Sequence, residues 1–124
     1  MIADAHSEDD AYGAEHPDTL DARSDTARWT GEAGDAATAR DLFAALLPVQ
    51  ERVLGRDQPN TLTTRHNLAY WTGQAGDVAA ARDQYAALLP VQERVLGREH
   101  PNTLTTRHNL AYWTEVTELS HNRA

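Results

Sequence analysis

Glu93-Arg94-Val95-Leu96-Gly97-Arg98-Glu99-His100-Pro101-Asn102-Thr103-Leu104 stands in this chain twice. With only Asp57 and Gln58 changed, the same run occupies Glu51 to Leu62, 42 residues earlier. The identity spreads outward from it. Residues 58–72 and 100–114 agree at 14 of 15 positions, and residues 30–58 and 72–100 at 22 of 29. His16-Pro17-Asp18-Thr19-Leu20 lies a further 42 residues upstream. A fixed period in the range of roughly 20–50 residues marks a solenoid or array, in which each unit buries its apolar face on the next. The copies divide the chain into an acidic leader carrying the remnant of a preceding helix (1–15), repeat one (16–57), repeat two (58–99), a partial repeat three that is a lone first helix (100–119) and a tail (120–124).

Each repeat reads as two helices. Pro59 suits a first helical position, where its missing N–H would have no partner anyway. Asn60 to about Gln74 then carries no breaker before Gly73. Gly73 and Gly76 are expected to close this helix, and Asp77 to cap the next. From Asp77 to Leu96 the chain is rich in alanine and leucine, and Ala81, Tyr85, Leu88, Leu89, Gln92 and Leu96 fall on one stripe at 3.6-residue spacing. Gly97 ends the stretch. Pro48 and Pro90 lie inside the second helix of their copies, where a proline removes one N–H and crowds the carbonyl four residues back. A bend is expected at each.

Composition excludes several function classes. The 124 residues contain no cysteine, so thiolate metal sites and cysteine nucleophiles are out. A net charge of −8 argues against a nucleic-acid surface. The acidity is local: residues 1–25 hold eight acids and one base, whereas the other 99 hold eleven acids and ten arginines. No apolar run approaches the roughly 18 residues of a membrane span, and Met1 to Glu15 lacks a basic and apolar signal pattern, so a cytoplasmic location is expected. Phosphate-binding, nucleophile-elbow, zinc-protease and dinucleotide motifs are missing, and the three serines are isolated. No His pair at i, i+4 suggests a metal. A non-enzymatic protein with neither cofactor nor metal is expected.

The residues Asn67-Leu68-Ala69, Gly76, Ala81, Tyr85 and Pro101, with the run from Glu93 to Leu104, resemble the tetratricopeptide repeat. The likeness is to its 42-residue variety, found in kinesin light chain and many bacterial repeat proteins, and it covers about residues 11 to 114. Two features depart from the family pattern: Thr72 replaces a tyrosine, and Pro48 and Pro90 are additions. The resemblance implies an all-α, right-handed α-solenoid of about two and a half repeats. It also implies a concave surface, lined by first helices, that holds a peptide segment of another protein.

On that surface the resemblance places Thr63, His66, Asn67 and Tyr70 of repeat two. Thr105, His108, Asn109 and Tyr112 follow in repeat three, and Asp21, Ser24, Asp25 and Arg28 in repeat one. Spacing of i, i+3, i+4, i+7 sets each group on one helical stripe. An asparagine amide can donate to and accept from a peptide backbone, and tyrosine offers apolar area with a polar tip. Trp29, Trp71 and Trp113 recur and are expected to pack between repeats, and the recurring Arg23, Arg65 and Arg107 to be solvated or paired with carboxylates.

The ends differ from the interior. In repeat one Leu68 is replaced by Thr26 and Tyr70 by Arg28, as a water-facing cap needs. After Thr114 the expected Gly-x-x-Gly-Asp turn gives way to Glu115-Val116-Thr117-Glu118-Leu119, so the third first helix loses its second helix. Leu110, Ala111, Trp113, Val116 and Leu119 are then candidates for contact with another copy, making a homo-oligomer. Two functions follow: a peptide-binding interaction module, or a self-assembling repeat fragment.

Overall fold

The computed structural model describes the backbone of residues 13–123, and the side chains as far as Asn122. Most of the leader, with the expected remnant of a preceding helix, falls at residues 1–12 and lies outside them. The described residues form five helices in order: α1 Pro17–Glu32, α2 Ala36–Val53, α3 Pro59–Gln74, α4 Val78–Val95 and α5 Pro101–Arg123. Each packs on the next along the chain, giving an all-α solenoid of helix pairs.

Local chemistry sets the helix ends. Each first helix opens on a proline, at 17, 59 and 101. Where a histidine precedes the proline it adds a cap that the sequence reading missed: Nδ1 of His16 accepts from the Asp18 N–H, and Nδ1 of His100 from the Asn102 N–H, both at 3.0 Å, whereas the Gln58 side chain makes no such bond. Asp35 and Asp77 cap the second helices by accepting from the Thr38 and Ala80 N–H groups, at 3.1 and 3.2 Å. Gly55 and Gly97 leave them at φ of 108° and 103°, left-handed backbone that a Cβ disfavours. Both second helices run unbroken through Pro48 and Pro90. Those prolines, and the residues Ala44 and Ala86 whose carbonyls they orphan, are exposed. Water can therefore reach the freed carbonyls.

The core is built at the junctions. Leu20, Ala27, Phe43 and Leu46 of repeat one are closed over by Leu68 and Trp71 from α3. Ala69, Ala81 and Tyr85 of repeat two are closed over by Leu110, Trp113 and Val116 from α5. Of the stripe read in the second helix, Ala81, Tyr85, Leu88 and Gln92 are each at most 2% exposed, and Leu89 and Leu96 are half-buried.

One glycine works differently from expectation. Gly73 does not end its helix; Gly76, at φ 106°, does. Gly73 is buried inside α3 as the seat of the Trp113 ring, and a Cβ there would lie 2.6 Å from Trp113 Cζ2. Gly31 is the same seat for Trp71, at 2.5 Å. A tryptophan of the next repeat thus fills the space that each glycine leaves. Trp29 shares their register but is 63% exposed.

Ion pairs near the ends of the second helices tie them to the segments beside them. Arg52 holds Glu15 through two bonds, at 2.9 and 2.6 Å, and Arg94 holds Asp57 at 3.1 Å. Arg107, of the recurring arginine ladder, donates to Glu93 at 2.9 Å. Solvent screens such pairs, so they fix register more than they add stability. The third copy breaks the pattern, because Glu115 stands where Gly31 and Gly73 stood. With no glycine turn, α5 continues past Leu119 to Arg123, so residues 120–123 of the tail are helical.

The glycine seats yield a quantitative expectation. Gly73→Ala drives a methyl into the Trp113 ring, an overpacking that costs about 1–3 kcal/mol. Urea denaturation followed by far-UV circular dichroism should show that loss. Gly76→Ala is a separate control, because its cost arises from φ rather than from contact.

Candidate functional site

The eight candidate residues of the first helices α3 and α5 are each at least partly exposed. On α3, Thr63 is exposed, His66 and Asn67 are half-buried, and Tyr70 is 38% exposed. On α5, Thr105 and His108 are exposed, Asn109 is half-buried, and Tyr112 is 52% exposed. Each tyrosine ring leans edge-on against the next residue's indole, Tyr70 on Trp71 at 4.8 Å and Tyr112 on Trp113 at 4.9 Å. Because those indoles sit in the glycine seats, the junctions that hold the solenoid together also orient the tyrosines.

The repeats are not equivalent at this edge. His66 packs edge-on against Tyr85 of α4, with ring centroids 5.3 Å apart. The amide of Asn109 donates to the Tyr85 hydroxyl at 3.3 Å. Tyr85 thus fixes a residue from each of the two neighbouring first helices. One repeat earlier Phe43 takes its place, and with no hydroxyl it cannot hold Asn67 in the same way. Burial raises the Tyr85 phenol well above its ordinary value, the Asn109 hydrogen bond opposing, so the hydroxyl stays protonated. In repeat one the corresponding positions are charged. Arg28 pairs with Asp25 at 3.4 Å and Glu32 at 3.9 Å, and lies 5.9 Å from the Trp29 ring.

A cavity of about 220 Å³ opens between the starts of α3 and α5. Leu62, Leu96 and Gln92 line it, together with Thr63, His66 and Thr105. Three of the eight candidates therefore share one cavity, and the other five, Asn67, Tyr70, His108, Asn109 and Tyr112, are not among its lining residues. His100 and Asn102 also line it, residues the sequence reading did not select. Their signal was present: a residue that begins one first helix adjoins the previous one in a stack of this period. Among the described residues, no cluster of His, Asp or Glu could hold a metal, and no helix is long and apolar enough to cross a membrane.

The self-association candidates divide between two sides of α5. Leu110, Trp113 and Val116 pack into the second core cluster. Ala111 and Leu119 are exposed. Leu104, which the sequence reading did not select, joins them at 43% exposure. Its signal was the 42-residue shift: Leu104 is also the copy of Leu20, which is buried with Phe43 and Leu46 of a second helix, an element that the third repeat lacks.

The family model of the tetratricopeptide repeat matches residues 27–93. Solved structures match over most of the described helices. One is a Podosopora anserina putative kinesin light chain with nearly identical TPR-like repeats, at 27% identity and a TM-score of 0.74. The match covers 85% of this chain and 50% of that one. A single-residue variant of the same protein matches at 26% identity and a TM-score of 0.74, covering 84% of this chain and 49% of that one. The chain thus spans about half the length of these structures. No curated protein matches it.

Burial holds the His66 imidazole below its ordinary pKa and keeps it neutral at pH 7. The unfolded chain takes up this proton near pH 6.5 and the folded chain only lower. The contribution of His66 is therefore complete above about pH 6.5 and declines as the pH falls from there toward its folded value. Thermal melts between pH 7.5 and 5.5 should show Tm falling with pH, and the fall should be shallower in His66→Gln. The carboxyls of Glu15 and Asp35 are held below the ordinary carboxylate range by Arg52 and Thr38, so they titrate below this window.

Proposed function

This chain belongs to the tetratricopeptide repeat family, of the kinesin light chain type, and on that basis we propose that it binds a peptide segment along the first-helix edge of α3 and α5. The fold is that of a protein-interaction repeat module. The observation that carries the reading is the Tyr85 anchor, which positions His66 and Asn109 on neighbouring first helices from one side chain. A preorganised edge spends less ordering free energy on a bound ligand. Asn67 and Asn109 would then clamp the backbone of the peptide, Tyr70 and Tyr112 would flank it, and the cavity beside Thr63 and Thr105 would take one of its side chains. This role is non-catalytic, without cofactor or metal.

A second reading, self-assembly through the last helix, has its own support. Leu104 is 43% and Leu119 56% exposed on α5, whereas Leu62, the copy of Leu104, is 1% exposed on α3.

The peptide reading is tested with a ligand selected from a displayed random-peptide library on the wild-type protein. Asn67→Ala combined with Asn109→Ala removes two hydrogen-bonding amides, each worth about 0.5–1.5 kcal/mol, so affinity should fall by about fivefold to 150-fold. Fluorescence anisotropy measures it, with melting curves as the folding control. Unchanged affinity in a folded double variant would sink the proposal.

A further inference from the structure

On α3, Leu62 and Ala69 are 1% and 0% exposed. On α5 their copies, Leu104 and Ala111, both face solvent. The α5 side opposite Thr103, Thr106, Leu110 and Trp113 carries Leu104, His108, Ala111, Tyr112, Glu115 and Leu119, all exposed. Their spacing of three and four residues makes one stripe along the helix, spanning about 22 Å from 104 to 119.

We propose that two copies of this chain pair antiparallel through this stripe, about a two-fold axis between residues 111 and 112. The proposal deepens the self-assembly reading above and rests on it. The order of side chains supports it, because the stripe is its own complement when reversed. In that register Leu104 meets the partner's Leu119. His108 meets the partner's Glu115, a ring N–H donor against a carboxylate acceptor. Ala111 meets the partner's Tyr112, small beside large, which lets the two helices approach closely. Each contact occurs twice, as an isologous interface requires. A parallel pairing in register would set Glu115 against the partner's Glu115 and Leu104 against the partner's Leu104, placing like charges together. Head-to-tail stacking in the register of the repeat meets a different obstacle. The next tryptophan would need a glycine seat, and Glu115 fills that position. The pairing also links the two functions. His108 and Tyr112 belong to both surfaces, so paired chains would cover the repeat-three half of the peptide edge and leave the repeat-two half open.

Light scattering over a concentration series, with melting curves as the folding control, tests the geometry. The wild type should move from monomer toward dimer as concentration rises. Leu104→Glu should stay monomeric at every concentration. His108→Glu, which sets two acids against each other, should weaken the dimer about tenfold or more, and adding Glu115→Arg should restore it. A wild type that is monomeric at all concentrations would overturn both the pairing and the self-assembly reading. A dimer indifferent to Leu104→Glu and His108→Glu, or one that the double variant fails to restore, would overturn this pairing and leave self-assembly through another surface.

Discussion

The solenoid depends on a tryptophan lying where a glycine leaves room. Trp71 fills the space over Gly31, and Trp113 the space over Gly73. A helix pair of this size cannot enclose a core, because two packed helices bury only the seam between them. The indole of the following repeat completes each cluster, so the stability of one repeat resides partly in the next. Glycine inside a helix is costly in itself, by about 1 kcal/mol relative to alanine. Its presence near the end of α1 and α3 makes physical sense only through the close approach it permits.

From these contacts the rest of the architecture follows. The seated indoles support Tyr70 and Tyr112 at the edge, and the aromatic ring at position 85 ties α4 to the first helices on both sides. Both ends depart from the interior rule. Trp29 has the register of a seated ring and lies open, while Thr26 and Arg28 turn the rest of its neighbourhood polar. At the other end Glu115 replaces the seat, and α5 extends as a single long helix with one face on α4 and the other in water.

The candidate edge was drawn from periodicity, because a copied helix places copied residues on the same face, and each of its eight residues is at least partly exposed. What the copies hid was their inequality. Tyr85 and Phe43 differ by one oxygen, yet only the tyrosine can accept a hydrogen bond from the asparagine of the next repeat. Likewise Leu62 and Leu104 are identical in sequence and opposite in environment, 1% against 43% exposed. Identity along a chain cannot report which neighbour is present in space.

The sequence alone determined the period, the helix pairs, their proline starts and aspartate caps, and the buried stripe of the second helix. These follow from short-range rules: dihedral preference, orphan N–H groups and 3.6-residue spacing. Tertiary structure decided the rest. It made Gly73 a seat rather than a stop, since only packing shows that the space beyond its Cα is occupied. It turned Leu110, Trp113 and Val116 inward and left Leu104, Ala111 and Leu119 outside. A helix has two sides that its own periodicity cannot tell apart when both are partly apolar, and the choice between them belongs to the helix packed alongside.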